Sequence, residues 1–425
     1  MKVLWLTQVK IPRIDLIEGN SNITVTGGWL TGLSDTMLQS DLVEELTIIY
    51  PSFDGMPHEG KEGKFCYYGM PVNSAQFYDG RLDISTYKEI MKKYLARNTP
   101  DVIHIHGTEF QLSYALALAC KELGLINCTG VSIQGLVSVY AAHYFAGIPE
   151  RIVKKRTLWE IKSRNSLIDN LKRYKSRGTY EVKTLQLVPN IIGRTRWDKG
   201  CSEFIAPDSK YYFCNETLRS EFYSGSWDYN KCNKHTIFLS QGSKPIKGVH
   251  KVLEAIRYIK DRYPNIKVKI GGRNMFSAKS LIQDTYARYI HKLVKGYKLE
   301  GIIEFTGFLN ASEMKEHLLM TNVFVSPSSI ENSPNSLGEA MLLGVPCIVS
   351  DVGGVPDLLE DRKEGFIYPF DESYMLAYYI SEVFENPEKA KGLGLHAQVH
   401  ARKTHDPDDN FKQLIKIYSE LIGRG

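Results

Sequence analysis

Cysteine is sparse and unpatterned in this chain. Seven are scattered over 425 residues, and no two stand as C-x-x-C. The odd number and the spacing exclude a disulfide framework and an ordinary zinc site, and they predict a reducing compartment. Long apolar runs are missing too: no stretch approaches the roughly 20 residues that a membrane span needs. The opening residues, Met1-Lys2-Val3-Leu4-Trp5, are apolar only briefly and lead to no small-residue cleavage site. No secretory signal is expected, and the chain reads as cytoplasmic. No sequence repeat recurs at a fixed period, and no Asp-x-Asp ends a strand-like run. Repeat architectures are thereby excluded, and no metal or other cofactor is expected.

What is present is ordinary globular material, 43% apolar and 24% charged. The length predicts two domains of about 200 residues each. Short apolar runs alternate with helix-length segments, as in Lys2–Val9, Leu46–Tyr50, Pro100–His106 and Thr129–Ile133. A second such series begins at His235–Ser240. This pattern predicts an α/β fold with parallel sheets. Polar residues Gly225–Lys234 read as the linker. The expected domains are 1–228 and 229–405, with a last helix, about 406–425, returning to the first.

Charge is uneven. Between Arg151 and Arg177 ten lysines and arginines face two acids, a net charge of +8, so the total of +5 leaves −3 elsewhere. Residues 150–178 read as one or two amphipathic helices, with Leu167, Leu171 and Tyr174 on one face. Trp159 and that face are expected to dip into an anionic membrane, the cations contacting head groups. A solvated helical pair is the plain alternative. No nucleic-acid-binding motif accompanies the charge.

The most informative stretch is Ser328-Ser-Ile-Glu331-Asn-Ser-Pro-Asn-Ser-Leu-Gly-Glu339-Ala-Met-Leu-Leu-Gly-Val-Pro346. It reads as strand end, loop and helix start, with Ser333 as N-cap, Pro334 at the first helical position and Gly344 as the stop. Main-chain N–H groups of a first turn, with the helix dipole, can hold phosphates. Glu339, one turn deeper, can accept bonds from two ribose hydroxyls, and Glu331 lies before the helix where a sugar can sit. A plain capped helix with solvated glutamates is the alternative.

Two glutamates with seven residues between them, followed by Ala-Met-x-x-Gly-x-Pro and Ser350-Asp-Val-Gly-Gly-Val-Pro-Asp357, closely resemble the retaining GT-B glycosyltransferases of family four (glycosyl transferases group 1). Lys247-Gly248, Phe305-Thr-Gly-Phe-Leu309 and Phe324-Val-Ser-Pro-Ser328 extend the resemblance over most of the second half. It implies two Rossmann-like domains with parallel sheets facing across a deep cleft. It also implies roles: Glu339 on the ribose, Glu331 near the donor sugar, and Lys247 neutralising the leaving diphosphate. Asn332, Ser333, Asn335, Ser336 and Leu337 fall on the donor side, with the N–H groups of Asn335 and Ser336 approaching the phosphates. Gly307, Phe308 and Leu309 would hold the base through main-chain bonds. The family usually has an arginine where Gly242 stands. Lys244 or Arg273 can supply the missing cation, or both are plain surface charge.

The first half resembles the family less tightly. Thr26-Gly27-Gly28-Trp29-Leu30 is similar to its glycine-rich loop. On the strand 102–106, His104 and His106 share a face. His106 is the candidate catalytic group, and His104 reads as a core histidine. Gln134 stands where the family often has a histidine; it can bond a sugar hydroxyl but cannot take a proton. Arg194 and Asp198 are candidates for the acceptor side or form a buried structural pair. The resemblance implies a retaining transfer from a nucleotide-sugar, UDP being the commoner carrier, to a glycan or lipid-linked saccharide in bacterial-type surface polysaccharide synthesis. A non-transferring epimerase or hydrolase of the same fold is the alternative.

Overall fold

A computed structural model describes residues 1–20, 28–276 and 284–423. The chain divides into two compact units: Met1–Ala141, Arg173–Arg219 and His405–Gly425 form one, and Ala142–Lys172 with Ser220–Thr404 form the other. Residues 142–172, nominally inside the first sequence domain, thus cluster with the second. Gly225–Lys234 is not a bare linker either, because Trp227 within it is buried and its indole N–H donates to the Thr321 carbonyl at 2.7 Å.

The first unit is built on strands β1 (Lys2–Leu6), β2 (Glu45–Ser52), β3 (His58–Glu62), β4 (Phe65–Pro71), β5 (Val102–His106), β6 (Thr129–Ser132), β7 (Asn190–Gly193) and β8 (Lys210–Phe213). Among the described residues they lie in the order β3-β4-β2-β1-β5-β6-β7-β8. Pairing is parallel except at β3–β4. The period-2 alternation of β1 feeds two cores. Leu4 and Leu6 join Leu112, Ala115 and Leu116 of the helix Gln111–Glu122 on one face. Val3 and Trp5 join Leu414, Ile417 and Leu421 of the last helix, Pro407–Ile422, on the other. The last helix thus packs within the first unit.

The second unit carries β9 (Thr236–Leu239), β10 (Lys267–Gly271), β11 (Ile303–Gly307), β12 (Val323–Ser326), β13 (Cys347–Ser350) and β14 (Phe366–Tyr368), in the order β11-β10-β9-β12-β13-β14, with every described pair parallel. Its central strands are buried runs such as Ile237-Phe238-Leu239 and Val323-Phe324-Val325, as expected of a sheet covered on both faces.

The basic segment is three helices, Glu150–Val153, Leu158–Ser163 and Leu167–Leu187. Its expected membrane face is turned inward: Leu167 and Tyr174 are buried, and Leu171 and Trp159 are half-buried. Apolar helix faces are satisfied by protein wherever protein is at hand.

Candidate active site

In an open parallel sheet, the crevice for a ligand lies beyond the carboxyl ends of the strands where strand order reverses. In the second unit that point is between β9 and β12. The segment leaving β9 carries Lys247, and the segment leaving β12 carries Glu331. Their side chains meet, Lys247 Nζ standing 2.5 Å from Glu331 Oε1. The Ser328 hydroxyl donates to the same oxygen at 2.7 Å. The lysine side chain is 24% exposed and the glutamate 10%, so the pair is largely covered but still reachable through the lysine.

Main-chain contacts hold the two segments together. The N–H of Ser329 donates to the Ile246 carbonyl at 2.8 Å, and the N–H of Gly354 to the Glu331 carbonyl at 3.0 Å. The Ser350 hydroxyl bonds the Ser328 carbonyl at 2.5 Å. Two glycines allow this closeness. Gly248 has φ +67°, and a Cβ there would lie 1.7 Å from the Pro327 carbonyl oxygen; Gly353 has φ +52° and would lie 1.9 Å from that of Glu331. Only glycine tolerates both conditions.

The helix Asn335–Leu342 starts beside the pair. Its N-cap is Pro334, with ψ 114°, and no side chain caps it. The helix begins one residue later than the sequence suggested, because the Pro334 carbonyl accepts the first bond, from the Leu337 N–H at 2.9 Å. Ser333, Asn335 and Ser336 are half-buried, so the first turn opens to solvent. The Ser336 hydroxyl is 3.0 Å from that of Ser240, at the end of β9. Asn332, Leu337 and Glu339 are buried.

The remaining expected donor residues are placed unevenly. Gly242 is packed so tightly that a Cβ would fall 2.5 Å from Ile270 Cγ2 and 2.7 Å from Val249 Cγ2. An arginine cannot enter there without repacking. Lys244 is exposed at the head of a short 3-10 turn, Pro245–Lys247. Arg273 is tied to Asp284, whose carboxylate caps the helix Thr285–Gly296. Gly307 accepts a bond from the Gly272 N–H at 2.8 Å, Phe308 is exposed and Leu309 half-buried.

The family model for glycosyl transferases group 1 matches residues 225–399, the span that holds this crevice. The second half of the chain is similar to that family over this span. Spore coat protein SA of Bacillus subtilis is 26% identical over 189 residues, 44% of this chain and 49% of that protein. A putative colanic acid biosynthesis glycosyltransferase, WcaL of Salmonella typhimurium, is 30% identical over 142 residues, 32% of each chain. The chain spans about half or less of these curated relatives. The crystal structure of HepE from Anabaena in complex with UDP and glucose superposes with a TM-score of 0.66 at 14% identity, covering 99% of both chains. That likeness gives the fold: two Rossmann-like units of GT-B type.

In the first unit, the N-terminal residues expected at the site form a different assembly. Gly27 lies outside the described residues, and Gly28 opens the helix Gly28–Gln39. His104 is a core residue: its Nδ1 is 2.7 Å from the Tyr418 hydroxyl and its Nε2 2.5 Å from the Ser132 hydroxyl. The Tyr418 oxygen also accepts the Trp5 indole N–H at 2.9 Å, so its own proton points to His104 Nδ1. His106, expected as a catalytic group, is 5% exposed and packed between Trp5 and His104. Burial, then His104 and Arg194, hold its pKa well below the usual imidazole range. It is a neutral ring with no charge to offer.

Arg194 pairs with Glu216 rather than Asp198, and its guanidinium also donates to the Ile133 carbonyl and to Gln134 Oε1, both at 3.2 Å. The Gln134 amide donates to Glu216 at 2.7 Å. Gln134 is thus spent inside a partly buried network. Asp198 caps its own helix, accepting from the Arg194 N–H at 3.0 Å and from the Tyr211 hydroxyl at 2.6 Å. His106 Nε2, Arg194 Nε and Glu216 Oε2 are buried without a partner and belong to residues lining one cavity of about 40 Å³.

Sequence reading missed Glu216 and Glu109. Glu109 follows β5 at the strand-order reversal of the first unit, between β1 and β5. Burial, and the neighbouring Glu181 carboxylate, push its pKa up to about 7. The available signal was position: an acid three residues past a buried strand of a parallel sheet is where such sheets bind ligands.

Proposed function

We propose that this protein is a glycosyltransferase that moves a sugar from a nucleotide-sugar, a UDP-sugar by preference, to a saccharide acceptor with retention of configuration. The Lys247–Glu331 pair at the β9/β12 reversal, beside an open helix start, carries the reading. Lys247 offers a positive charge to the departing diphosphate, and the amides of Asn335 and Ser336 offer the helix dipole. Charge that develops on the leaving group is then met by donors already in place. Glu331 holds Lys247 ready and faces the sugar; when the diphosphate arrives, it competes for the same ammonium. Glu339 receives the ribose. No divalent metal is needed in this scheme, and activity should persist in EDTA.

Retention is supported by Gln134 and His106, the two first-unit residues expected nearest the sugar, neither of which is a free base. Gln134 is not basic and is bonded to Glu216, and His106 is enclosed. The departing phosphate is left to take the acceptor's proton on the same face. UDP is supported by the nucleotide named with the HepE structure, and a surface-polysaccharide acceptor by the colanic acid relative. The test is a thermal-shift series over nucleoside diphosphates, followed by UDP release from UDP-sugars with and without glycan acceptors. UDP raising the melting point above GDP or ADP, with acceptor-dependent release, is expected. Release of UDP that no acceptor accelerates would point to a hydrolase, and conversion without release to an epimerase.

A further inference from the structure

The helix Leu158–Ser163 has one face fastened to the second unit and one face open. Glu160, 1% exposed, is the fastening. Its carboxylate accepts from the Thr157 N–H at 2.6 Å, closing a capping box, and from the Thr285 N–H at 2.8 Å and hydroxyl at 2.6 Å. Thr285 is the first residue of the helix Thr285–Gly296. His250 holds the preceding segment, its Nε2 3.1 Å from the Ala146 carbonyl. The short helix therefore has a fixed orientation.

With Glu160 inward, Leu158 and Ile161 face out. They are neighbours at i, i+3, and they are 81% and 57% exposed. Around them Lys154, Lys155, Arg156, Lys162 and Arg164 are all exposed, and Glu160 is the sole acid between residues 154 and 164. Glu150, also exposed, offsets Lys154 alone. Two aliphatic side chains therefore stand exposed inside a cationic ring.

We propose that this face seats on an anionic lipid surface, Leu158 and Ile161 entering the acyl boundary and the surrounding cations contacting head-group phosphates. The charge sign selects an anionic partner. The apolar pair selects a bilayer over a purely polar polyanion, since each inserted side chain gains only by leaving water. The expected membrane residues of the sequence, Leu167, Leu171, Tyr174 and Trp159, are replaced by these two. The contact is independent of the donor-site reading, because none of these residues belongs to the β9/β12 crevice.

The test is co-sedimentation of the full chain with phosphatidylcholine vesicles, with and without phosphatidylglycerol. The parent protein should sediment only with the anionic vesicles and be released by high salt. A Leu158→Ser, Ile161→Ser double variant should bind at least about tenfold more weakly. Lys155→Ala and Lys162→Ala should each weaken binding about fivefold. Unchanged melting temperature and unchanged UDP response in these exposed variants separate loss of binding from misfolding. Equal binding to neutral vesicles, no binding to anionic ones, or unaltered binding of the double variant would overturn the proposal. So would a dimer that becomes a monomer in the double variant, which would make the face a contact between copies.

Discussion

Lys247 and Glu331 hold each other half out of water, so removing either has two consequences. Lys247→Ala withdraws the charge aimed at the leaving group and strands a nearly buried carboxylate. Initial-rate assays of UDP release should show kcat falling about 10²- to 10³-fold, with a lower melting temperature. Glu331→Gln keeps the shape and the hydrogen bond from Ser328; its fold should hold while turnover falls. Full turnover in Glu331→Gln would remove that residue from the mechanism. Glu109 makes a separate prediction. Its proton leaves the unfolded chain near 4.5 but the folded one near 7. The folded state therefore binds more protons between those values, and stability attributable to this group is lost as pH rises through that window and stays lost above it. Glu109→Gln should melt with the parent below about pH 4.5 and above it at about pH 8. Parallel melting curves across the range would contradict the assigned burial.

At the scale of elements, the β9 turn and the last helix matter most. Gly242 stands where the family resemblance implies a cation, yet the space beside Ile270 and Val249 is closed. Gly242→Arg should destabilise the second unit by about 1–3 kcal/mol and should not increase activity. A stable, faster Gly242→Arg enzyme would show that the turn opens. The helix Pro407–Ile422 contributes Leu414, Ile417, Tyr418 and Leu421 to the core that holds Trp5. Tyr418→Phe leaves the Trp5 indole N–H and His104 Nδ1 without the hydroxyl between them. A buried donor left unmade costs about 1–3 kcal/mol, to be read as a shift in the urea midpoint. Element types were legible because apolar period and turn residues are local: strands β1, β5, β6 and β9 stand where the pattern puts them, whereas the short helices Pro12–Ile17 and Val137–His143 carry too few turns to show a period. The hairpin β3–β4 was not, since its first strand, His58-Glu-Gly-Lys-Glu62, is an exposed edge with no apolar alternation to detect.

At the scale of the whole molecule, the proposed reaction predicts ligand linkage. UDP at a hundred times its Kd should stabilise the folded state by about 2.7 kcal/mol, seen as a higher melting point that depends on UDP concentration. Lys247→Ala should shrink that shift; a UDP shift indifferent to Lys247 would place the nucleotide elsewhere.

The amino-acid order alone determined the α/β class, the paired sheets and the crowded motif from Ser328 to Pro346, because strand period, glycine turns and proline-led helix starts act over a few residues. Tertiary structure alone decided partnership. Arg194 turns to Glu216 and not to Asp198, Arg273 is occupied by Asp284, His106 is enclosed, and residues 142–172 attach to the second unit through Glu160 and His250. Each of those outcomes joins groups far apart along the chain, and burial, which sets the worth of every charge among them, exists only once the chain has folded.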